Sequence, residues 1–349
     1  MKVVIAGAGF MGTSLGMAIT RAGGAVRFTD LNREHAELAS ARVGSSFEGM
    51  GDLFVAAVPT TFVGRVILEA FKSNLALNFT DLGSTKTNVQ LEVSSFGVSE
   101  LFCGGHPMAG SERSGPTGAR SDLFEGRPWV ITPSSKTSGQ SLEAVRELVA
   151  LVGALPVELT PEGHDRAVAE VSHGPQVLAS LLASSLNQVD VSHLSIAGQG
   201  LRDTTRIAGS SPEVWASILS TNGAQVATFL EPIAEELALI IAALKAGDAE
   251  ALKAFISRGN AGRDLIPGKH GLSIREYDQI SVVLPDRPGQ LALLFDIFSE
   301  LKVNVEDISM EHSLGLPAGL IQLSLQVGHG EKTVQELIVR GWRAFTLAG

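Results

Sequence analysis

Hydrophobic and polar positions along the 349-residue chain fall into three successive rhythms. Over residues 1 to about 160, short apolar runs alternate with amphipathic stretches. Val3-Val4-Ile5, Ala25-Val26-Arg27-Phe28-Thr29, the run from Asp52 to Pro59 and the run from Ala76 to Asp81 read as strands. Trp129–Pro133 and Leu155–Leu159 continue the series, and Leu15, Ala18 and Ile19 recur at helical spacing between the first two runs. Such alternation predicts an α/β domain, a doubly wound parallel sheet with helices on both faces. Ligands of such sheets bind beyond the carboxyl ends of the strands, where Pro59, Ser84 and His106 fall.

From about 162 to 262 the strand signal disappears. Val168, Val171, Pro175, Leu178, Leu182, Leu186 and Val189 step by three and four, the spacing of one helix face. A second series runs through Trp215, Ile218, Asn222, Val226, Phe229, Ile233, Leu237, Ile240 and Leu244, with Pro232 expected to kink or break it. This predicts an all-α domain whose spare apolar faces favour a homodimer. Residues 263–277 are polar and carry Pro and Gly, as a linker does. Beyond them Asp278–Leu284 reads as a strand, Asp286-Arg287-Pro288-Gly289 as a turn and Gln290–Leu301 as a helix. Strands at Val303–Ser309 and Leu320–Val327 and a helix at Glu331–Val339 follow, a small α+β domain over 278–349 in the order βαββα. The expected domains are therefore 1–161, 162–262 and 278–349.

The first run carries the most specific chemistry. It passes straight into Gly7-x-Gly9-x-x-Gly12, the turn of a Rossmann-type dinucleotide-binding unit. Gly7 makes the turn, Gly9 lets the backbone approach a pyrophosphate, and Gly12 allows the helix to pack on the strand. Phe10 and Met11 lie inside the motif, and Val58 and Pro59 close a neighbouring strand, so all four are expected beside the cofactor. Asp30 ends the second strand, placed to accept bonds from the adenosine ribose hydroxyls. A carboxylate there repels a 2′-phosphate and points to NAD, while Arg33 keeps NADP open.

Composition narrows the partners. A formal charge of −10 argues against nucleic acid or an anionic membrane. The most apolar stretch, Phe229 to Leu244, carries Glu231, Glu235 and Glu236 and is no membrane span. A single cysteine, Cys103, excludes a disulfide framework and a cysteine zinc cluster. The chain enters its first strand directly, with no room for a signal peptide, and a cytoplasmic protein is expected. His35, His164, His193, His270, His312 and His329 form no metal-ligand constellation and read as surface or structural residues, so no metal is expected.

Further stretches carry a family resemblance: Asp81-Leu82-Gly83-Ser84-Thr85-Lys86, His106-Pro107-Met108-Ala109-Gly110 with Ser111 to Gly115, Ser172-His173-Gly174-Pro175, and Asp203-Thr204-Thr205-Arg206. With these in order, the chain resembles the prephenate dehydrogenases over nearly its whole length, and its tail resembles an ACT domain, a module that commonly binds amino acids. The resemblance implies oxidation of prephenate, or of its amino analogue arogenate, by NAD or NADP with loss of carbon dioxide. It implies that His106 polarises the substrate hydroxyl and that Ser84 orients hydroxyl and imidazole, although Ser84 also reads as a helix cap. Arg206 is the implied anchor for the ring carboxylate, with Arg202 one helical turn away and Asp203 as local counter-ion. Glu112 is implied as part of an ionic gate, and Ser172, His173 and Gln176 as neighbours of the substrate side chain. Gln176 stands where some members carry a second histidine, and its neutral amide leans toward prephenate. Trp215 reads as pocket wall or core. The Asp286, Arg287, Pro288 and Gly289 turn is the implied amino-acid site, with tyrosine, the pathway's end product, as effector. Two rivals share this layout: a β-hydroxyacid dehydrogenase or imine reductase, and a nucleotide or amino-acid sensor without enzymatic activity.

Overall fold

The computed structural model describes residues 1–110, 115–266, 277–285, 287–312 and 318–346. Glu112, Asp286 and most of the expected 263–277 linker lie outside the described residues. The chain forms two compact units, Met1–Glu235 and Glu236–Gly349.

The first unit opens with β1 (Lys2–Ala6), α1 (Phe10–Arg21), β2 (Ala25–Thr29), α2 (Arg33–Val43), β3 (Gly51–Ala56), α3 (Thr60–Lys72), β4 (Ala76–Asp81) and α4 (Thr87–Ser95). The four strands make a parallel sheet in the order β2-β1-β3-β4. Alternation along β1 feeds two cores: Val3 and Ile5 pack with Leu15, Ile19 and Val145 on one face, and Val4 and Ala6 with Val63, Ile67 and Val89 on the other. A sheet buried on both faces is what the near-continuous apolar runs require.

A second sheet of three strands follows: β5 (Gly104–Pro107), β6 (Pro128–Thr132) and β7 (Leu155–Glu158), with α5 (Gly139–Leu151) between the last two. Here the all-parallel expectation is corrected, because β5 runs antiparallel to β6. Gly-Gly-His-Pro has no strand propensity of its own. Its glycines are selected by contact: a Cβ on Gly104 would meet Thr132 Oγ1 at 2.4 Å, and one on Gly105 would meet the Asp81 carbonyl at 2.9 Å.

Helices then take over. α6 (Pro161–Val168) widens into a π turn at Ala169–His173 and continues as α7 (Gly174–Ser185), followed by α8 (Val191–Leu194), α9 (Gln199–Thr205) and α10 (Pro212–Thr221). The expected single face from Val168 to Val189 is broken by the π turn, and Val171 and Leu182 are exposed. Of the kink or break expected at Pro232 there is no break, since α11 (Gly223–Ala246) runs through it; the series is interrupted at Asn222 instead. Alanine, leucine and glutamate on both sides of Pro232 favour the helix.

The second unit holds the end of α11, α12 (Ala249–Arg263), and a sheet domain of β8 (Tyr277–Pro285), α13 (Gln290–Leu301), β9 (Val305–His312), β10 (Ala318–Gln326), α14 (Gly330–Val339) and β11 (Arg343–Thr346). Its antiparallel strands lie in the order β11-β8-β10-β9 over a core of Ile280, Val282, Leu294, Phe298, Leu323 and Leu337. The short strand β11 pairs with β8 and makes the order βαββαβ rather than the expected βαββα. Among the described residues, no helix is long and apolar enough to cross a membrane.

Candidate active site

The three motif glycines sit where a side chain would be strained, would clash, or would fill open space. Gly7 sits at φ +101°, and a Cβ there would lie 2.2 Å from the Ala57 carbonyl. A Cβ on Gly12 would lie 1.9 Å from the Gly7 carbonyl, so only glycine lets α1 start so close to β1. A Cβ on Gly9 would meet nothing within 4 Å, because that position faces open space. No side chain caps α1, which leaves its first N–H groups for an anion. Asp30 directly follows β2 and accepts from Ala8 N at 2.6 Å and Asn32 N at 2.7 Å, tying the glycine turn to the end of that strand. These features fit a dinucleotide.

A cleft of about 400 Å³ opens from this turn. Gly9, Phe10, Met11, Val58, Pro59, Ser84, His106 and Gly110 line it, so five of the expected cofactor residues and the two expected catalytic residues come together, while Gly7, Gly12 and Asp30 lie outside its lining. α10 supplies a further wall, Val214, Ser217 and Ile218, that sequence reasoning missed. Trp215 turns away to pack edge-on against His173, ring centroids 5.8 Å apart. α10 is fastened to the Ser84 loop by Thr85 Oγ1 to Thr221 Oγ1 and Asn88 Nδ2 to the Thr221 carbonyl, each 3.0 Å.

His106 is half-buried, and its Nδ1 lies 2.8 Å from Nε2 of His164. His164 Nδ1 in turn lies 2.8 Å from Asp165 Oδ1. The reading of His164 as a surface or merely structural residue is thereby corrected: it is wholly buried and holds the candidate catalytic ring. Asp165 also accepts from Lys86 N at 2.7 Å and Thr87 N at 2.9 Å, so it caps α4 from across the fold. Ser84 is not that cap; its hydroxyl bonds to no described residue and faces the cleft.

This chain of bonds assigns the tautomers. Burial works to raise the Asp165 carboxyl, but hydrogen bonds from His164, Thr87 and Lys86 outweigh it and hold it below the usual carboxylate range. Ionised Asp165 can only accept, so His164 carries its proton on Nδ1 and presents a lone pair on Nε2. His106 therefore donates from Nδ1 and keeps Nε2 as a free acceptor. Burial pushes the His106 imidazole well below its ordinary value, and His164, Lys86 and His173 add to the shift. The ring is neutral near pH 7, as a base must be.

The other expected substrate residues do not line the cleft. Arg202 and Arg206 are exposed on α9 and the turn after it, and neither side chain has a hydrogen-bond or ion-pair partner among the described residues. Asp203 accepts from Gln199 Nε2 at 2.8 Å and does not pair with them. Gln176 is buried and donates to Ser180 Oγ at 3.2 Å, and Ser172 lies half-buried in the π turn. His173 accepts from Asn222 Nδ2 at 3.1 Å. Among the described residues no group of histidine, cysteine or carboxylate side chains could hold a metal ion.

Comparison with known proteins agrees with this geometry. Residues 15–158 match the nucleotide-binding domain of prephenate dehydrogenase, and residues 160–258 match its dimerization domain. The chain is 32% identical to "Probable prephenate dehydrogenase NovF" of Streptomyces niveus, over 98% of each chain. A crystal structure of prephenate dehydrogenase from A. aeolicus, in complex with hydroxyphenyl propionate and NAD+, superposes with a TM-score of 0.68 at 26% identity. That match covers 75% of this chain and 97% of the other. Synechocystis arogenate dehydrogenase gives a TM-score of 0.64 at 26% identity, over 76% of this chain and 99% of that one. From the matched domains and the full-length relative, the chain belongs to the prephenate dehydrogenase family.

Proposed function

We propose that this protein catalyses the NAD-dependent oxidative decarboxylation of prephenate to 4-hydroxyphenylpyruvate. The observation that carries the reading is His106: a neutral imidazole on the cleft wall, its Nδ1 engaged by His164 and its Nε2 without a partner among the described residues. The chemistry supplied by bound NAD is uptake of a hydride. The Gly7–Gly12 turn and the uncapped start of α1 hold its pyrophosphate, Asp30 its ribose, and Val58 and Pro59 flank it. His106 Nε2 accepts the hydrogen bond of the substrate hydroxyl, which favours charge developing on that oxygen as the carbon beneath loses hydride. Ser84 lines the same cleft, its hydroxyl without a partner among the described residues, and orients the substrate hydroxyl. Loss of the ring carboxylate as carbon dioxide makes the ring aromatic.

We assign Arg206 to the ring carboxylate with Arg202 beside it, on the ground that both guanidinium groups are unpaired among the described residues. Ser172 and Gln176 on the π turn and α7 are assigned to the substrate side chain, and Glu112 to the ionic gate that the family resemblance implies. Arogenate is the second substrate reading, favoured by the likeness to the Synechocystis enzyme. The chain dimerises through its helical region; Leu237, Leu239, Ile241, Leu244 and Ile256 expose apolar surface there. The βαββαβ tail is an ACT-like domain taking tyrosine at the Asp286–Gly289 turn, where Gly289 at φ +86° leads into α13 with no side-chain cap. A cytoplasmic location suits the buried free thiol of Cys103.

The test is turnover with prephenate and with arogenate, each with NAD and NADP, for the wild type and His106→Ala. The variant should lose roughly 10²–10⁴-fold in kcat with KM for NAD unchanged. A variant keeping more than about a tenth of wild-type kcat would assign the proton to another group.

A further inference from the structure

Two sets of bonds hold His106, one through its ring and one through the peptide before it, and both lead to the same residue. The ring is held by His164, His164 by Asp165, and Asp165 by the backbone N–H of Lys86. Gly105, the residue before it, is held at both its peptide groups: Lys86 Nζ donates to the Gly105 carbonyl at 2.8 Å, and Gly105 N donates to Asp81 Oδ1 at 3.2 Å. Lys86 Nζ also pairs with Asp81 Oδ2, and the same oxygen accepts from Gly83 N at 2.8 Å, next to Ser84. The circuit closes on itself. We infer that Lys86 is a positioning residue for the reaction, fixing the His106 backbone with its ammonium group and the His106 ring with its own N–H.

The inference rests on the proposed role of His106 and goes beyond it. Both members of the Lys86–Asp81 pair are fully buried, with 1% and 0% of their side chains exposed. Such a pair is a poor device for stability, because apolar residues of equal volume serve as well or better. Its donors and acceptors are spent on Gly83 and Gly105, the backbone neighbours of Ser84 and His106. β5 also rests on the lysine stem: a Cβ on Gly104 would lie 3.2 Å from Lys86 Cδ. The charge acts as well. His106 is faced by His164 and Asp165 from α6, His173 from the π turn, Asp81 from β4 and Lys86 after it. Burial pulls the Lys86 ammonium below its ordinary range and Asp81 opposes that pull; in its charged form Lys86 opposes protonation of His106 and of His164.

The experiment compares Lys86→Met and the double variant Lys86→Met/Asp81→Asn with wild type and His106→Ala, all full-length. Lys86→Met should lower kcat about 10²-fold, the cost typical of a misplaced catalytic group, with KM for NAD unchanged. The acid limb of its kcat/KM profile should move to higher pH, a change that a packing role would not produce. The double variant relieves the unpaired carboxylate, so its unfolding temperature should approach wild type while kcat stays low. It carries the test if Lys86→Met does not fold. A folded variant with kcat within about threefold of wild type and an unmoved acid limb overturns the inference. So does failure of both variants to fold, which would make Lys86 a folding residue. His106→Ala separates the two claims: if it keeps turnover, the base assignment has failed, whereas loss there with retention in the lysine variants fails Lys86 alone.

Discussion

Asp30 serves the fold with one carboxylate and, in the proposed function, serves the cofactor with the same group. Its two oxygens accept from Ala8 N and Asn32 N, which fixes the turn leading into Gly9, and each keeps a second lone pair for a ribose hydroxyl. Arg33, the residue that could meet a 2′-phosphate, is paired instead with Glu37 one turn on, at 2.7 Å. That exposed pair is weak and would yield to a phosphate, so the carboxylate is the deciding group. Asp30→Ser should raise KM for NAD at least about tenfold and lower KM for NADP, because charge repulsion is removed while Arg33 is freed. Comparable kcat/KM for both cofactors in the wild type would contradict the assignment. Asp30 and the glycines were legible in the sequence because their chemistry is local: a turn, a strand end and a helix start. His164 was not, because its partner His106 lies 58 residues away and a lone histidine after a helix cap carries no mark of what it faces. Val214, Ser217 and Ile218 escaped for the same reason; a helix face reads alike whether it meets core or cleft.

Among the elements, α6 and the π turn carry the acid sensitivity of the fold. Burial pushes His173 down to about 4, and the imidazoles of His106 and His164 are lowered too. Between about pH 6.5 and 4 the unfolded chain therefore binds protons that the folded one refuses, and stability falls as pH drops through that window. Above it these groups contribute no pH dependence. Each excess proton is worth about 1.4 kcal/mol per pH unit. His173→Gln keeps an acceptor for Asn222 and cannot titrate, so its unfolding temperature should fall less steeply than wild type over this range. Parallel slopes for the two proteins would show that His173 does not drive the effect. Elements whose pattern matched their burial were legible: β1 to β4, α1 and α13 lie close to where periodicity puts them. Those set by distant contacts were not. β5 exists because Asp81 and Lys86 grip Gly105, and β11 because β8 offers it an edge. Pro232 shows the opposite limit, a strong local signal overridden by helix-forming neighbours.

For the whole molecule, the open question is what the second unit adds to a reaction whose cleft is lined wholly by residues of the first. The tail has its own core, built on Ile280, Val282, Leu323 and Leu337, and needs no support from the cleft to hold a ligand. Gly289 at φ +86° places the chain at the start of α13, where uncapped N–H groups and the helix dipole favour a carboxylate. A free amino acid offers that group, and tyrosine lies immediately downstream of the proposed product. Coupling of about 1–3 kcal/mol between such a site and the cleft would change substrate affinity 5- to 150-fold. Tyrosine, an analogue of the product, could also bind the cleft directly, and the two routes differ in how they respond to substrate. Inhibition through the tail should persist at saturating prephenate and disappear in a chain ending at residue 276. Competition at the cleft should fade as prephenate rises and survive the truncation. Initial rates across a grid of prephenate and tyrosine concentrations, for the full and shortened chains, distinguish them. Identical inhibition patterns in the two proteins would remove the tail as the receptor and leave tyrosine, if it acts at all, to the cleft beside His106.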